Sequence, residues 1–190
     1  MHNDVERVLL SREKLENIVN SLAKQIEKDY NGKEFIMVGL LKGVFVFMAE
    51  LITKIDMDFE VDFMEASSYE GTQSTGEVKI SKDISISVTD RDVLIVDDIV
   101  DTGLTLSFVT EHLLSKGASS VKVCALCDKP DRRKVPFTPD YRGAQLPDEF
   151  VVGYGLDYDE KYRNLPYIGV LKSSVYNKQS TGKRSDPHGK

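Results

Sequence analysis

The stretch from Val93 to Thr105, Val-Leu-Ile-Val-Asp-Asp-Ile-Val-Asp-Thr-Gly-Leu-Thr, limits the folds open to this chain more than any other. Val93 to Val96 is apolar at every position, so as a strand it has no face to give to water. A strand of that kind is covered on both sides, which is the condition of a parallel sheet held between helices. Directly after it come Asp97, Asp98 and Asp101, then Thr102-Gly103, then a helical stripe of Leu106, Val109 and Leu113. A strand, an acidic corner, a Thr/Gly loop and a helix start, in that order, describe a ligand site at the carboxyl edge of an α/β sheet.

Each residue type there has a chemical use. Asp97 and Asp98 supply hard oxygen ligands suited to Mg²⁺ or to sugar hydroxyls. Thr102, Gly103, Leu104 and Thr105 offer backbone N–H groups at a helix start together with two hydroxyls, the means of holding a phosphate. Gly103 lets the backbone approach a ligand without a Cβ in between. Asp101 lies between the acidic pair and this cradle, placed to take a proton. Asp or Thr after a strand often serves only as a helix cap, but three carboxylates within five positions repel one another and add nothing to a cap. Phosphate, sugar and metal in a row point to a ribose-phosphate ligand.

The chain of 190 residues is long enough for one α/β domain and a small appendage. Its net charge of −6 argues against a general nucleic-acid binder. No apolar run is long enough for a membrane span, and Met1-His2-Asn3-Asp4 lacks a signal-peptide pattern. With two cysteines and no export signal, the expected location is cytoplasmic. Cys124 and Cys127 sit in a strand-like run, where residues three apart face opposite ways, so they are expected to be buried free thiols and not a metal pair.

Taken in order, Ser11 caps a helix carrying Leu15, Ile18, Val19, Leu22 and Ile26. Phe35 to Leu40 reads as the first buried strand, and Val44 to Ile55 as a buried helix. Between them, Leu41-Lys42-Gly43 is placed to meet an anion, although on its own it reads equally as a solvent-facing turn. Phe59 to Ala66 is a strand, and Ser67 to Gly76 a long polar loop of the kind that forms lids. Val78 to Val88 alternates as two strands around Lys82-Asp83. Gly117 ends the helix after the central motif, Ser120 to Cys127 is the next strand, and Asp128 to Arg133 leaves its carboxyl end. Glu149 to Tyr154 reads as a late strand, and the polar tail over residues 176–190 is expected to be disordered.

Val-Leu-Ile-Val-Asp-Asp-Ile-Val-Asp-Thr-Gly-Leu-Thr-Leu resembles the phosphoribosyl-pyrophosphate (PRPP) motif of the type I phosphoribosyltransferases, and the flanking motifs resemble its purine branch. The resemblance runs from about Val8 to Ser173 with several motifs in order. It implies a Rossmann-like α/β fold with a mostly parallel central sheet over residues 1–175. A small hood would be built from the N-terminal residues and part of 128–175. It implies Mg²⁺-dependent transfer of the 5-phosphoribosyl group from PRPP to hypoxanthine or guanine, giving IMP or GMP and pyrophosphate. By it, Asp97 and Asp98 hold ribose hydroxyls and Mg²⁺, Asp101 accepts the proton at purine N7, and Thr102 to Thr105 hold the 5′-phosphate, Leu104 through its backbone only. Lys42, Gly43 and Arg163 hold pyrophosphate, with a cis peptide before Lys42. Lys129 meets the 6-oxo group, Phe150 stacks on the base, Val151 meets its edge, and Asp157 takes a second Mg²⁺. Ser68 and Tyr69 lie on a loop that closes over the site. A homodimer or homotetramer is usual in the family.

Three other readings share parts of the pattern. A PRPP-sensing regulator would use the same fold without turnover, and a xanthine-preferring enzyme would differ only at the base edge. Leu-Ile-Val-Asp-Asp also opens response-regulator receivers, but there it stands near the N-terminus, whereas more than ninety residues precede it here.

Overall fold

The protein is described by a computed structural model covering residues 1–68 and 78–177. Tyr69, the rest of the long polar loop and residues 178–190 lie outside the described residues, as does the side chain of Ser68. The elements in order are β1 (Val5–Leu10), α1 (Arg12–Tyr30), β2 (Phe35–Leu41), α2 (Phe45–Ile52), β3 (Glu60–Ser68), β4 (Val78–Lys82) and β5 (Asp92–Val100). Then follow α3 (Leu104–Ser115), β6 (Ser120–Asp128), a single 3₁₀ turn at Pro130–Arg132, β7 (Tyr141–Gln145), β8 (Val151–Val152), β9 (Ile168–Leu171) and α4 (Ser173–Tyr176).

The main sheet has the order β4-β3-β2-β5-β6-β7 and is parallel except for β4, which returns antiparallel beside β3. β1, β9 and β8 form a separate antiparallel sheet. The period-2 alternation of the central strands divides the core into two layers. Phe35, Met37, Leu94, Val96, Cys124 and Leu126 meet α1 and α2, while Ile36, Val38, Val93, Ile95, Val123 and Ala125 meet α3. Ser11 caps α1 by accepting from the Lys14 N–H at 3.3 Å. Both cysteines are buried free thiols, as the strand pattern predicts. None of the described helices is long and apolar enough to cross a membrane.

The topology places a site. From β2 the chain winds through α2 to β3 on one side, and from β5 through α3 to β6 on the other. The winding therefore reverses between β2 and β5, and the crevice at their carboxyl ends is the switch point where α/β sheets take ligands. Leu41-Lys42-Gly43 and Asp97 to Thr105 leave the sheet on its two sides.

Several elements differ from the sequence pattern: β1 and β7 are strands that it does not indicate, and three further departures have local causes. The second strand expected within 84–88 is an irregular segment, because the Asp62 carboxylate takes its donors: Ser85 N–H at 2.7 Å, Ser85 hydroxyl at 2.8 Å and Ile86 N–H at 3.1 Å. The helix expected over Val44 to Ile55 spans Phe45–Ile52 and is not buried all round, since Phe45 is exposed. It closes where the Thr53 hydroxyl donates back to the Glu50 carbonyl at 2.8 Å. The strand expected over Glu149 to Tyr154 shrinks to Val151–Val152, because Gly153 and Tyr154 turn the chain with φ of 101° and 54°.

Burial pushes the Asp62 carboxyl up, but the donors from Ser85, Phe63 and Ile86 outweigh it and hold its pKa down to about 2. A carboxylate depressed in the fold contributes stability above its unfolded pKa and loses it as pH falls through the folded value. Denaturant unfolding followed from pH 5 to 2 is therefore expected to lose about 2 kcal/mol through this group, and Asp62→Ala to flatten that part of the profile.

Candidate functional site

β5 does not stop at Val96 but continues to Val100, so Asp97 and Asp98 lie within the strand, with Asp97 opposite Ala125 of β6. Each carboxylate turns back on the chain. Asp97 Oδ1 accepts the Asp98 N–H at 3.0 Å, and Asp98 Oδ1 accepts the Ile99 N–H at 2.8 Å. Burial, and next the charge of Asp98, push Asp97 well above the usual carboxylate range. Burial likewise raises Asp98, against its hydrogen bonds and the charge of Arg163. Two crowded carboxylates held in this way gain most from a hard cation beside them.

The Asp98 carboxylate lies where a Cβ on Gly43 would stand, so only glycine fits there. The Gly43 carbonyl in turn lies where a Cβ on Gly155 would stand, and Gly155 has φ of 102°. Three backbone segments thus converge on one point. The Leu41–Lys42 peptide is cis, as the resemblance implies. A cleft of about 300 Å³ opens here, lined by Lys42, Gly43, Asp97, Asp98, Asp101, Thr102, Gly103, Thr105 and Arg132 among others. Gly103, with φ of 82°, opens α3, and its carbonyl accepts the Ser107 N–H at 2.9 Å. Leu104 is not part of the lining, and its N–H faces the Thr102 hydroxyl at 3.4 Å.

A second cleft of about 360 Å³ adjoins it, lined by Ile99, Asp101, Lys129, Arg132, Phe150, Val151, Leu156 and Tyr176 among others. Asp101 and Arg132 belong to both and stand at their junction. Lys129 is only 8% exposed and donates to the Glu149 carbonyl at 2.6 Å. Burial draws its ammonium below the usual lysine range. Phe150 is half-exposed, with Tyr158 edge-on at 5.4 Å and Tyr176 stacked at 5.4 Å. Tyr176, which the sequence pattern puts at the start of the polar tail, is the last residue of α4 and lines this cleft.

Arg163 and Asp157 lie outside both linings and pair with each other at 3.0 Å. Arg163 also donates to the Gly155 carbonyl at 2.8 Å, which ties it to the Gly43 junction. Lys42 reaches the same group through Glu160, at 3.2 Å.

Several residues that shape the site escape a sequence reading. Arg132 donates through Nε to Asp101 at 2.7 Å and through Nη1 to Asp148 at 3.2 Å. Arg133 holds the carbonyls of Val100, at 3.0 Å, and of Asp101 and Lys129, and pairs with the buried Asp128. One guanidinium thus fixes the loops after β5 and β6 together, using the five donors of a planar fork. The only sequence signal was the run Asp128-Lys129-Pro130-Asp131-Arg132-Arg133 itself, whose partners are distant in the chain.

A phosphoribosyl transferase domain model matches residues 8–159. A hypoxanthine-guanine phosphoribosyltransferase of Staphylococcus aureus is 53% identical over 177 residues, 93% of this chain and 99% of that protein. A crystal structure of a hypoxanthine phosphoribosyltransferase from Staphylococcus aureus superposes with a TM-score of 0.89 at 53% identity, covering 93% of this chain and 96% of that one. A hypoxanthine-guanine phosphoribosyltransferase from Bacillus anthracis superposes at 0.83 with 46% identity, covering 88% and 98%.

Proposed function

We propose a 6-oxopurine phosphoribosyltransferase activity for this chain, which belongs to the phosphoribosyl transferase domain family. The substrates are PRPP and hypoxanthine or guanine, and the products IMP or GMP and pyrophosphate. The observation that carries this reading is the meeting of two clefts at Asp101, one with an acidic strand end and a Thr/Gly helix start, the other with an aromatic wall and a buried lysine. A sugar phosphate fits the first and a purine the second, and the new glycosidic bond then forms at their junction.

In this reading Thr102 to Thr105 hold the 5′-phosphate, and Asp97 and Asp98 the ribose hydroxyls. Lys42, Gly43 and Arg163 face the pyrophosphate. Phe150 supplies a stacking platform, Val151 a backbone edge, and Lys129 donors for the 6-oxo oxygen. Asp101 takes the purine N7 proton as the bond forms.

The crowded pair Asp97 and Asp98 fits Mg²⁺, which is commonly bound by one or two carboxylates plus substrate phosphate oxygens. Neutralising the leaving pyrophosphate is the chemistry that the bound ion supplies. Asp157 would join as a ligand only by leaving Arg163, and among the described residues no three carboxylate, His or Cys side chains come together around one metal position.

The test is pyrophosphate release from PRPP with Mg²⁺, offered hypoxanthine, guanine, xanthine and adenine in parallel. Turnover with 6-oxopurines and none with adenine is expected. Binding of PRPP without turnover on any base would move the reading to a regulator.

A further inference from the structure

Both side-chain cations that the proposed reading gives to pyrophosphate are already held by one carboxylate. Glu160 Oε1 lies 3.2 Å from Lys42 Nζ, and Oε2 lies 3.1 Å from Arg163 Nη2. The two oxygens are divided between two cations from separate parts of the chain, as two oxygens of a phosphoryl group would be. We infer that Glu160 is an internal stand-in for pyrophosphate, occupying its subsite in the free protein and giving way when the diphosphate of PRPP or free pyrophosphate arrives. The inference rests on the proposed reading of the cleft.

The local backbone is built to present this group. Asp159 and Glu160 both take left-handed conformations, with φ of 53° and 59°. The Glu160 N–H is held by Asp157 Oδ2 at 2.9 Å, and Tyr158 and Lys161 exchange backbone bonds at 3.1 and 3.2 Å. A tight turn therefore aims Glu160 back at the cations. Bonds from Arg163 and then Lys42 pull its pKa down, so it stays ionised in this role. Glu160 is also the partner best able to leave, because its side chain is 66% exposed, against 31% for Asp157. Exposed ion pairs are weak and exchange readily with a competing anion. With Glu160 in place, Lys42 and Arg163 are held ready without an unpaired charge, and the returning carboxylate assists release of the product, a step that commonly limits turnover.

The sign of one substitution separates this from an ordinary scaffold role. If Glu160 only positioned the cations, Glu160→Gln would weaken pyrophosphate binding. As a competitor, its loss strengthens it. Calorimetric titration of the full chain with inorganic pyrophosphate and Mg²⁺ is expected to show roughly threefold to tenfold tighter binding for Glu160→Gln, the scale of two exposed ion pairs. Glu160→Asp keeps the charge but is one methylene too short to span both cations, and it should tighten binding to a similar degree. Unchanged or weaker binding in Glu160→Gln overturns the inference, and so does tightening by Gln without tightening by Asp, which would indicate a charge acting at a distance. The same preparations are assayed for turnover. A wild-type protein that turns over while the variants bind pyrophosphate no better defeats this inference alone, whereas a wild-type protein that neither turns over nor binds pyrophosphate defeats the underlying reading with it.

Discussion

Asp101→Asn is expected to lower turnover by about two to four orders of magnitude, the usual contribution of a positioned proton acceptor. Asp101 lines both clefts, and Arg132 Nε grips its Oδ1 at 2.7 Å. An asparagine has the same shape and its oxygen still accepts that bond, more weakly than the carboxylate does, so the junction keeps its form. What it loses is the charge and the capacity to take a proton. The expected pattern is a fall in kcat with the KM for PRPP within a few-fold and an unchanged melting temperature. That pattern separates a proton-transfer role from simple binding, because a binding role would raise KM at constant kcat. Full turnover in a folded Asp101→Asn protein would remove Asp101 from the chemistry.

The frame of the protein was legible in the sequence where burial sets a period. Phe35 to Leu40 and Val93 to Val96 read as strands because both of their faces meet apolar layers, and the α1 and α3 stripes read as helices because one side of each is buried. Legibility failed where a distant side chain replaced a backbone partner. Asp62 takes the donors of Ser85 and Ile86, so an alternating segment never pairs as a strand. β8 keeps only two residues, since Gly153 and Tyr154 turn the chain at positive φ. The candidate site divides in the same way. Lys42, Gly43, Asp97, Asp98, Asp101, Thr102, Gly103 and Thr105 gather at one cleft because each lies at or just beyond the carboxyl end of a central strand, and that position is visible in sequence. Arg132, Arg133, Glu160 and Tyr176 were not legible as site residues. Each gains its meaning from a partner on another loop, and an arginine or glutamate in a polar loop looks the same whether it is solvated or paired.

Lys129→Met should reduce kcat/KM for hypoxanthine and guanine by about a hundredfold, the order expected for a lost hydrogen bond to a charged donor in a dry pocket. The lysine is held for this task from two sides. Its ammonium donates to the Glu149 carbonyl at 2.6 Å, and the Glu149 carboxylate is in turn gripped by Arg7, at 2.6 Å between Nη2 and Oε2. An ammonium carries three donors, so two remain beyond the bond to Glu149, and no acceptor function exists on it. A 6-oxo group satisfies such a site, whereas a 6-amino group leaves a buried charge facing another donor, the mismatch by which polar pockets reject analogues. Methionine keeps most of the volume of the stem and removes the ammonium, and with it both the charge and the bond to the Glu149 carbonyl. The loss with 6-oxopurines should therefore come with a weaker rejection of adenine, so that the ratio of the two narrows from both ends. The four-base pyrophosphate-release assay reads this directly. A variant that loses activity on every base in proportion would show that Lys129 supports the Glu149 loop without selecting the base.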